Sequence, residues 1–160
     1  MPLTAWRLTT PPYADLSGEG ARRAGGRWNP RGAAVVYAGD HPALAVAEYR
    51  VHVRDPEDLP DALVFLRIEV PDGVAVATVA LADVERADLE WRRPGSRGCM
   101  AIGAAWLDAR GAAVLRVPSA VVPLADNVLI NPAHPDARRC VIAETVPYVF
   151  EPRLLDLGRR

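Results

Sequence analysis

An arginine, a tyrosine and a glutamate lie close together in the first third of this chain: Arg27, Tyr37 and Glu48. Arginine offers a planar fork of donors suited to phosphate or carboxylate. Tyrosine stacks on a flat ring while keeping its hydroxyl near water. A carboxylate among apolar side chains needs a partner or a function, because burying it unpaired is costly. Gly25 and Gly26 precede the arginine and let a ligand approach the backbone. Together the three side chains suggest convergence on a nucleotide-like ligand. Each also has an ordinary alternative: a surface arginine beside a turn, a tyrosine at the edge of the core, and a glutamate paired with Arg7 or Arg27.

Other candidates are weaker taken singly. Ser119 follows an apolar run, a common place for site residues, but no Gly-x-Ser-x-Gly elbow surrounds it. Asn127 and Asn131 bracket Val-Leu-Ile, where holding the loop is the simpler role for both. His41, His52 and His134 are scattered without ligand spacing, which argues against zinc. No phosphate loop or dinucleotide fingerprint is present. Cys99 and Cys140 are expected to be reduced, buried thiols.

The elements that must position these groups follow from pattern. Residues 3–8 read as a strand bringing Arg7 inward, and 9–20, with four prolines and glycines, as a loop with a helical turn near Asp15, Leu16 and Ser17. Residues 27–29 should be extended, because Asn29 precedes Pro30. A turn at 30–32 leads to a buried strand over 34–38. Asp40-His41-Pro42 starts a helix running to about Val53, with Leu44, Glu48 and Val51 on one inner stripe. An acidic loop spans 55–61. Residues 63–70 and 74–79 read as strands joined by Pro71-Asp72-Gly73, which predicts a hairpin. A short helix is expected over 81–89 and a polar loop over 92–98. A longer helix over 99–109 should be capped by Gly111. Strands follow at 113–117 and 128–130, then a late edge strand over 140–150 and a last short strand over 154–157. The mixture of strands and three or so helices, neither strictly βαβ nor all-β, favours α+β.

The chain has 160 residues, half of them hydrophobic and 24% charged, with a formal net charge of −1. That is enough for one domain, residues 1–160, with a core that needs no disulfides. The near-zero charge argues against nucleic acid as a direct ligand. A signal peptide and a membrane span are not expected, so the default location is the cytoplasm. The apolar 140–150 segment offers an edge on which a second copy could dock, giving a homodimer.

These blocks in this order resemble the RES-domain family, named for its arginine, glutamate and serine. The resemblance is carried by Trp6-Arg7-Leu8, Gly25-Gly26-Arg27-Trp28-Asn29 with Gly32, Val35-Val36-Tyr37, the run from Ala43 to Glu48, Val117-Pro118-Ser119, and the run from Asn127 to Pro132 with His134-Pro135. It covers most of the chain, although residues 55–97 contribute no motif. It implies a mixed-sheet fold similar to ADP-ribosyltransferase toxins. It also implies the toxin half of a toxin-antitoxin module, with a partner antitoxin carrying an Xre-type helix-turn-helix domain. The implied activity is degradation of NAD+ by cleavage of the nicotinamide-ribose bond, with NAD+ as substrate and no permanently bound cofactor or metal. Water, phosphate or a protein side chain would be the acceptor. Carried over by position, Arg27, Tyr37, Glu48 and Ser119 form the catalytic set, with Arg7, Arg27, Tyr37 and Asn131 holding the dinucleotide. In that assignment Arg27 holds the pyrophosphate, Tyr37 packs on nicotinamide or its ribose, Glu48 stabilises positive charge on the ribose, and Ser119 contacts the nicotinamide side or the nucleophile. Transfer of ADP-ribose to a protein, and a non-catalytic binding module, are the competing expectations.

Overall fold

The computed structural model describes residues 2–156. Seven strands form one mixed sheet: β1 (Leu3–Thr9), β2 (Val36–Gly39), β3 (Leu63–Val70), β4 (Val76–Thr78), β5 (Val114–Pro118), β6 (Asp126–Ile130) and β7 (Val141–Tyr148), in the spatial order β4-β5-β6-β2-β1-β3-β7. Among the described residues four α-helices accompany them: α1 (Glu19–Ala24), α2 (Pro42–Arg50), α3 (Leu81–Ala87) and α4 (Arg97–Ala109). This is the α+β architecture expected. All pairings are antiparallel except β4 with β5.

The parallel pair corrects the expected hairpin. The turn at Pro71-Asp72-Gly73 forms, with Val74 N–H donating to Pro71 O at 3.2 Å. The chain then leaves β3 and pairs beside β5, near the opposite edge of the sheet. Five strand spacings separate β3 from β4 along the sheet, about 24 Å if it were flat. Residues 71–75 cannot bridge that, since six residue steps reach about 21 Å only when fully stretched. The sheet is therefore strongly curled. Val70, Val74 and Ala113 share one core cluster with Val36, Val114 and Ile130, which fills the inside of the curl. A second cluster on the other face joins Trp28, Val35, Trp91, Cys99, Trp106, Leu115 and Leu129 under α3 and α4.

Several boundaries also differ from expectation. Residues 19–24 form a short helix that begins inside the stretch 9–20 read as loop, and the turn before it is 3₁₀ at Pro11–Tyr13 rather than helical at Asp15. Arg27 and Trp28 are not extended. They form a turn closed by the Gly26–Asn29 bridge. Helix α2 ends at Arg50, so Val51 is 54% exposed instead of continuing the inner stripe. The segment 152–154 is 3₁₀ helix rather than strand, and Leu157 lies outside the described residues. Cys99 and Cys140 are free and buried. Strand β7 lies at the edge of the sheet, as expected, and its partner is β3.

Helix α4 is capped by Arg110 rather than Gly111, with φ 51° in the left-handed region. A side chain there is strained where glycine is not. Arg110→Gly is therefore expected to raise stability by about 1 kcal/mol, read as a higher midpoint in urea.

Candidate active site

Strands β1 and β2 are paired through a single register position, Trp6 opposite Gly39. Beyond it a cleft of about 1220 Å³ opens. Three consecutive residues of each strand line it: Trp6, Arg7 and Leu8 on one side, Tyr37, Ala38 and Gly39 on the other. Neighbouring residues on a strand face opposite ways, so both can border one cavity only where the strands part and the backbone itself is the wall. The cleft lies in that fork. This is how Arg7, on the same side of the sheet as Ala5, and Tyr37, on the opposite side, reach the same space.

The walls are strongly basic. Among the described residues, Arg7, Arg27, Arg31, Arg54 and Arg92 border the cleft and Glu48 is its single acid. On a chain of net charge −1 this concentrates positive potential in one concavity.

Glu48 comes from α2. Histidine 41 caps that helix, its Nδ1 accepting from Ala43 N–H at 3.1 Å, and Pro42 occupies the first turn. Leu44 is buried, and Glu48 follows it by four residues on the same helix face. The glutamate makes no pair with Arg7 or Arg27. Its Oε1 accepts from Ser119 Oγ at 2.9 Å and from Asn127 Nδ2 at 2.9 Å. Ser119 Oγ in turn accepts from Val121 N–H and Val122 N–H, both at 3.0 Å. A hydroxyl has one proton and two lone pairs, and all three are engaged. Ser119 thus supports Glu48, and its proton is directed at the carboxylate. It is not among the residues lining the cleft.

Arg27 borders the cleft from the turn at 26–29, but most of its fork serves the protein. Nη1 donates to Trp91 O and to Arg93 O, the latter at 2.9 Å, and Nη2 donates to Arg92 O at 3.1 Å. Three of five N–H donors are used in holding the 91–93 segment, and two remain. That segment carries Arg92, whose guanidinium lies 5.2 Å over the Trp91 ring and borders the cleft.

Tyr37 closes the same turn. Its hydroxyl donates to Asn29 Oδ1 at 2.7 Å and accepts from Trp28 N–H at 3.0 Å. Asn29 is fully buried, and its Nδ2 ties Ala21 O, Pro30 O and Ala33 O together. Burial pushes the Tyr37 phenol well above its usual value, with Trp28 N–H and the Arg27 charge opposing, so it stays protonated at neutral pH. Gly26 is required here. A Cβ at that position would stand 2.6 Å from the Tyr37 hydroxyl. For Arg7, burial lowers the guanidinium's pKa, with Asp15 opposing, and Nη1 donates to Asp15 O at 2.7 Å.

Asn131 does not join the group. It is buried at the end of β6, where its Oδ1 accepts from Ala133 N–H at 3.0 Å, a loop-holding role away from the cleft. Sequence reasoning assigned Asn127 the same role, but Asn127 lines the cleft and touches Glu48. Its signal was weak: an asparagine opening an apolar strand. Arg31, Arg54 and Arg92 carried none.

Comparison with known proteins gives consistent results. The profile of the RES domain matches residues 4–151. The chain is 38% identical over 160 residues to a Sphingobium protein named "Prs ADP-ribosylating toxin", covering 97% of this chain and 98% of that one. It is 42% identical over 139 residues to a Pseudomonas putida protein named "Toxin Res", covering 86% and 90%. Among solved structures it resembles a chain in the crystal structure of the M. tuberculosis MbcT-MbcA toxin-antitoxin complex, with a TM-score of 0.72 at 23% identity over 98% of this chain and 88% of that one.

Proposed function

The chain belongs to the RES domain family, and from that premise we propose that it is the toxin of a toxin-antitoxin pair and acts by consuming cytoplasmic NAD+. One observation carries this: among the described residues a single carboxylate, held by neutral donors, stands in a dinucleotide-sized cleft that five arginines also border. The arginines suit a pyrophosphate, and the carboxylate suits a sugar that becomes cationic.

In this reaction the bond between ribose C1′ and the nicotinamide nitrogen breaks, and its electron pair leaves with nicotinamide. The pyridinium becomes a neutral ring, so no strong general acid is required. Positive charge spreads over C1′ and the ring oxygen, as in glycoside cleavage. Glu48 stabilises that charge and accepts from a ribose hydroxyl. Arg27, through its remaining donors and its charge, orients the pyrophosphate with help from Arg7 and Arg92. Tyr37 packs its ring on the nicotinamide end. Phosphate, water or a protein side chain then attacks C1′.

Purified protein incubated with NAD+ is expected to release free nicotinamide. Faster release on adding inorganic phosphate, with ADP-ribose-1″-phosphate formed, assigns phosphorolysis; ADP-ribose alone assigns hydrolysis. Intact NAD+ under all conditions would refute the proposal. The name of the Sphingobium relative favours a second reaction on the same site, transfer of ADP-ribose to a protein. It predicts label from NAD+ on a protein band in cell extract. The partner in either case is an antitoxin with an Xre-type helix-turn-helix domain, and co-expression with it should relieve growth arrest.

A further inference from the structure

We propose that Asn127 is a positioning residue for Glu48: a neutral amide that fixes the carboxylate's direction without neutralising its charge. This rests on the role given to Glu48 above. Asn127 lies on β6 directly opposite Gly39 of β2 and beside Val117 of β5. A Cβ on Gly39 would stand 3.0 Å from Leu44 Cγ, so the glycine lets α2 settle close to the sheet. Glu48, one turn beyond Leu44, is thereby brought 2.9 Å from Asn127 Nδ2.

Both donors to the carboxylate converge on one oxygen. Ser119 Oγ and Asn127 Nδ2 each donate to Oε1. Oε1 is thus engaged by the protein, and Oε2 is left for the ligand. The choice of donor matters. An arginine or lysine in place of Asn127 would hold Glu48 equally well, but would cancel the negative charge that a cationic ribose needs. Five arginines surround the cleft, yet none pairs with Glu48 among the described residues. An amide and a hydroxyl orient the group, and its full charge stays available. Ser119 alone would fix a distance; with Asn127 arriving from another strand, the carboxylate plane is fixed as well.

The test is steady-state NAD+ consumption by the parent, Asn127→Asp and Asn127→Ala, with melting curves for each. Aspartate keeps the shape and replaces the donor by an acceptor. Alanine removes the donor without adding charge in a site where Asn127 is 9% exposed. Both variants are expected to lose about 10- to 100-fold in kcat with KM for NAD+ within about threefold, because the misdirected carboxylate affects the transition state more than ground-state binding. Parental kcat in a folded variant overturns the proposal. So does an equal loss carried by KM, which would make Asn127 a ligand contact, and so does unfolding of the alanine variant, which would make it a stability residue. A parent that releases no nicotinamide overturns instead the NAD+ reading beneath it, so the two failures are told apart.

Discussion

Glu48→Gln is expected to lower nicotinamide release by about 10³-fold while leaving the fold intact. The substitution is clean because of how the glutamate is held. Ser119 and Asn127 both donate to Oε1, and an amide oxygen in the same position accepts from both. The side chain stays in place and only the negative charge is lost. Since the transition state gains positive charge that the ground-state ribose lacks, the effect should fall on kcat, with KM changed by less than about threefold. The melting temperature should stay within a few degrees of the parent. Turnover at the parental rate by Glu48→Gln would remove the central role of the carboxylate. In growth assays the same variant should be harmless when expressed without a partner.

Gly103→Ala is expected to be the most damaging small change in the molecule. Gly103 lies on α4 where the helix meets the turn at 26–29, and a Cβ there would stand 1.7 Å from Trp28 O and 2.6 Å from Trp28 C. Both obstacles are backbone, which cannot rotate away as a side chain would. The helix or the turn must move, and the turn carries Arg27. The gain in helix propensity, about 1 kcal/mol, is outweighed by this overlap. A net loss of about 3 kcal/mol is expected, lowering Tm by about 10 °C. Gly20→Ala is the control, since a Cβ at Gly20 meets nothing within 4 Å. An unchanged Tm for Gly103→Ala would show that α4 does not press on the turn as described.

Local pattern made much of this fold legible. The strand at Leu63–Val70, the helix opening at Pro42 and the edge strand interrupted by Pro147 all announce themselves through alternation, capping and proline placement. What failed was pairing. The Pro71-Asp72-Gly73 turn is real, but nothing in those residues says that the next strand crosses to β5, because a parallel partner 38 residues away leaves no local trace (Val76 with Val114). The six-residue helix at Glu19–Ala24 was hidden by Gly18 and Gly20, which read as loop. At the site, residue type was informative for Arg27, Tyr37 and Glu48, which do border one cleft. It was uninformative about what each touches. Glu48 meets Ser119 and Asn127 rather than an arginine, and Arg27 meets carbonyls. Asn127 and Asn131 look alike in sequence, and only strand register separates the one at the cleft from the one at a loop.

The two hydrogen bonds on Glu48 span 71 and 79 positions along the chain. A ribosome making this protein therefore exposes the helix with the glutamate long before either donor is translated. At about 5–20 residues per second that interval is several seconds or more. Through it the nascent polypeptide has an acid without its supports and a cleft still lacking Arg92 and Asn127 from its lining, so it should be harmless to the cell that makes it. Toxicity would begin only near completion, leaving a window in which a partner already present can be waiting.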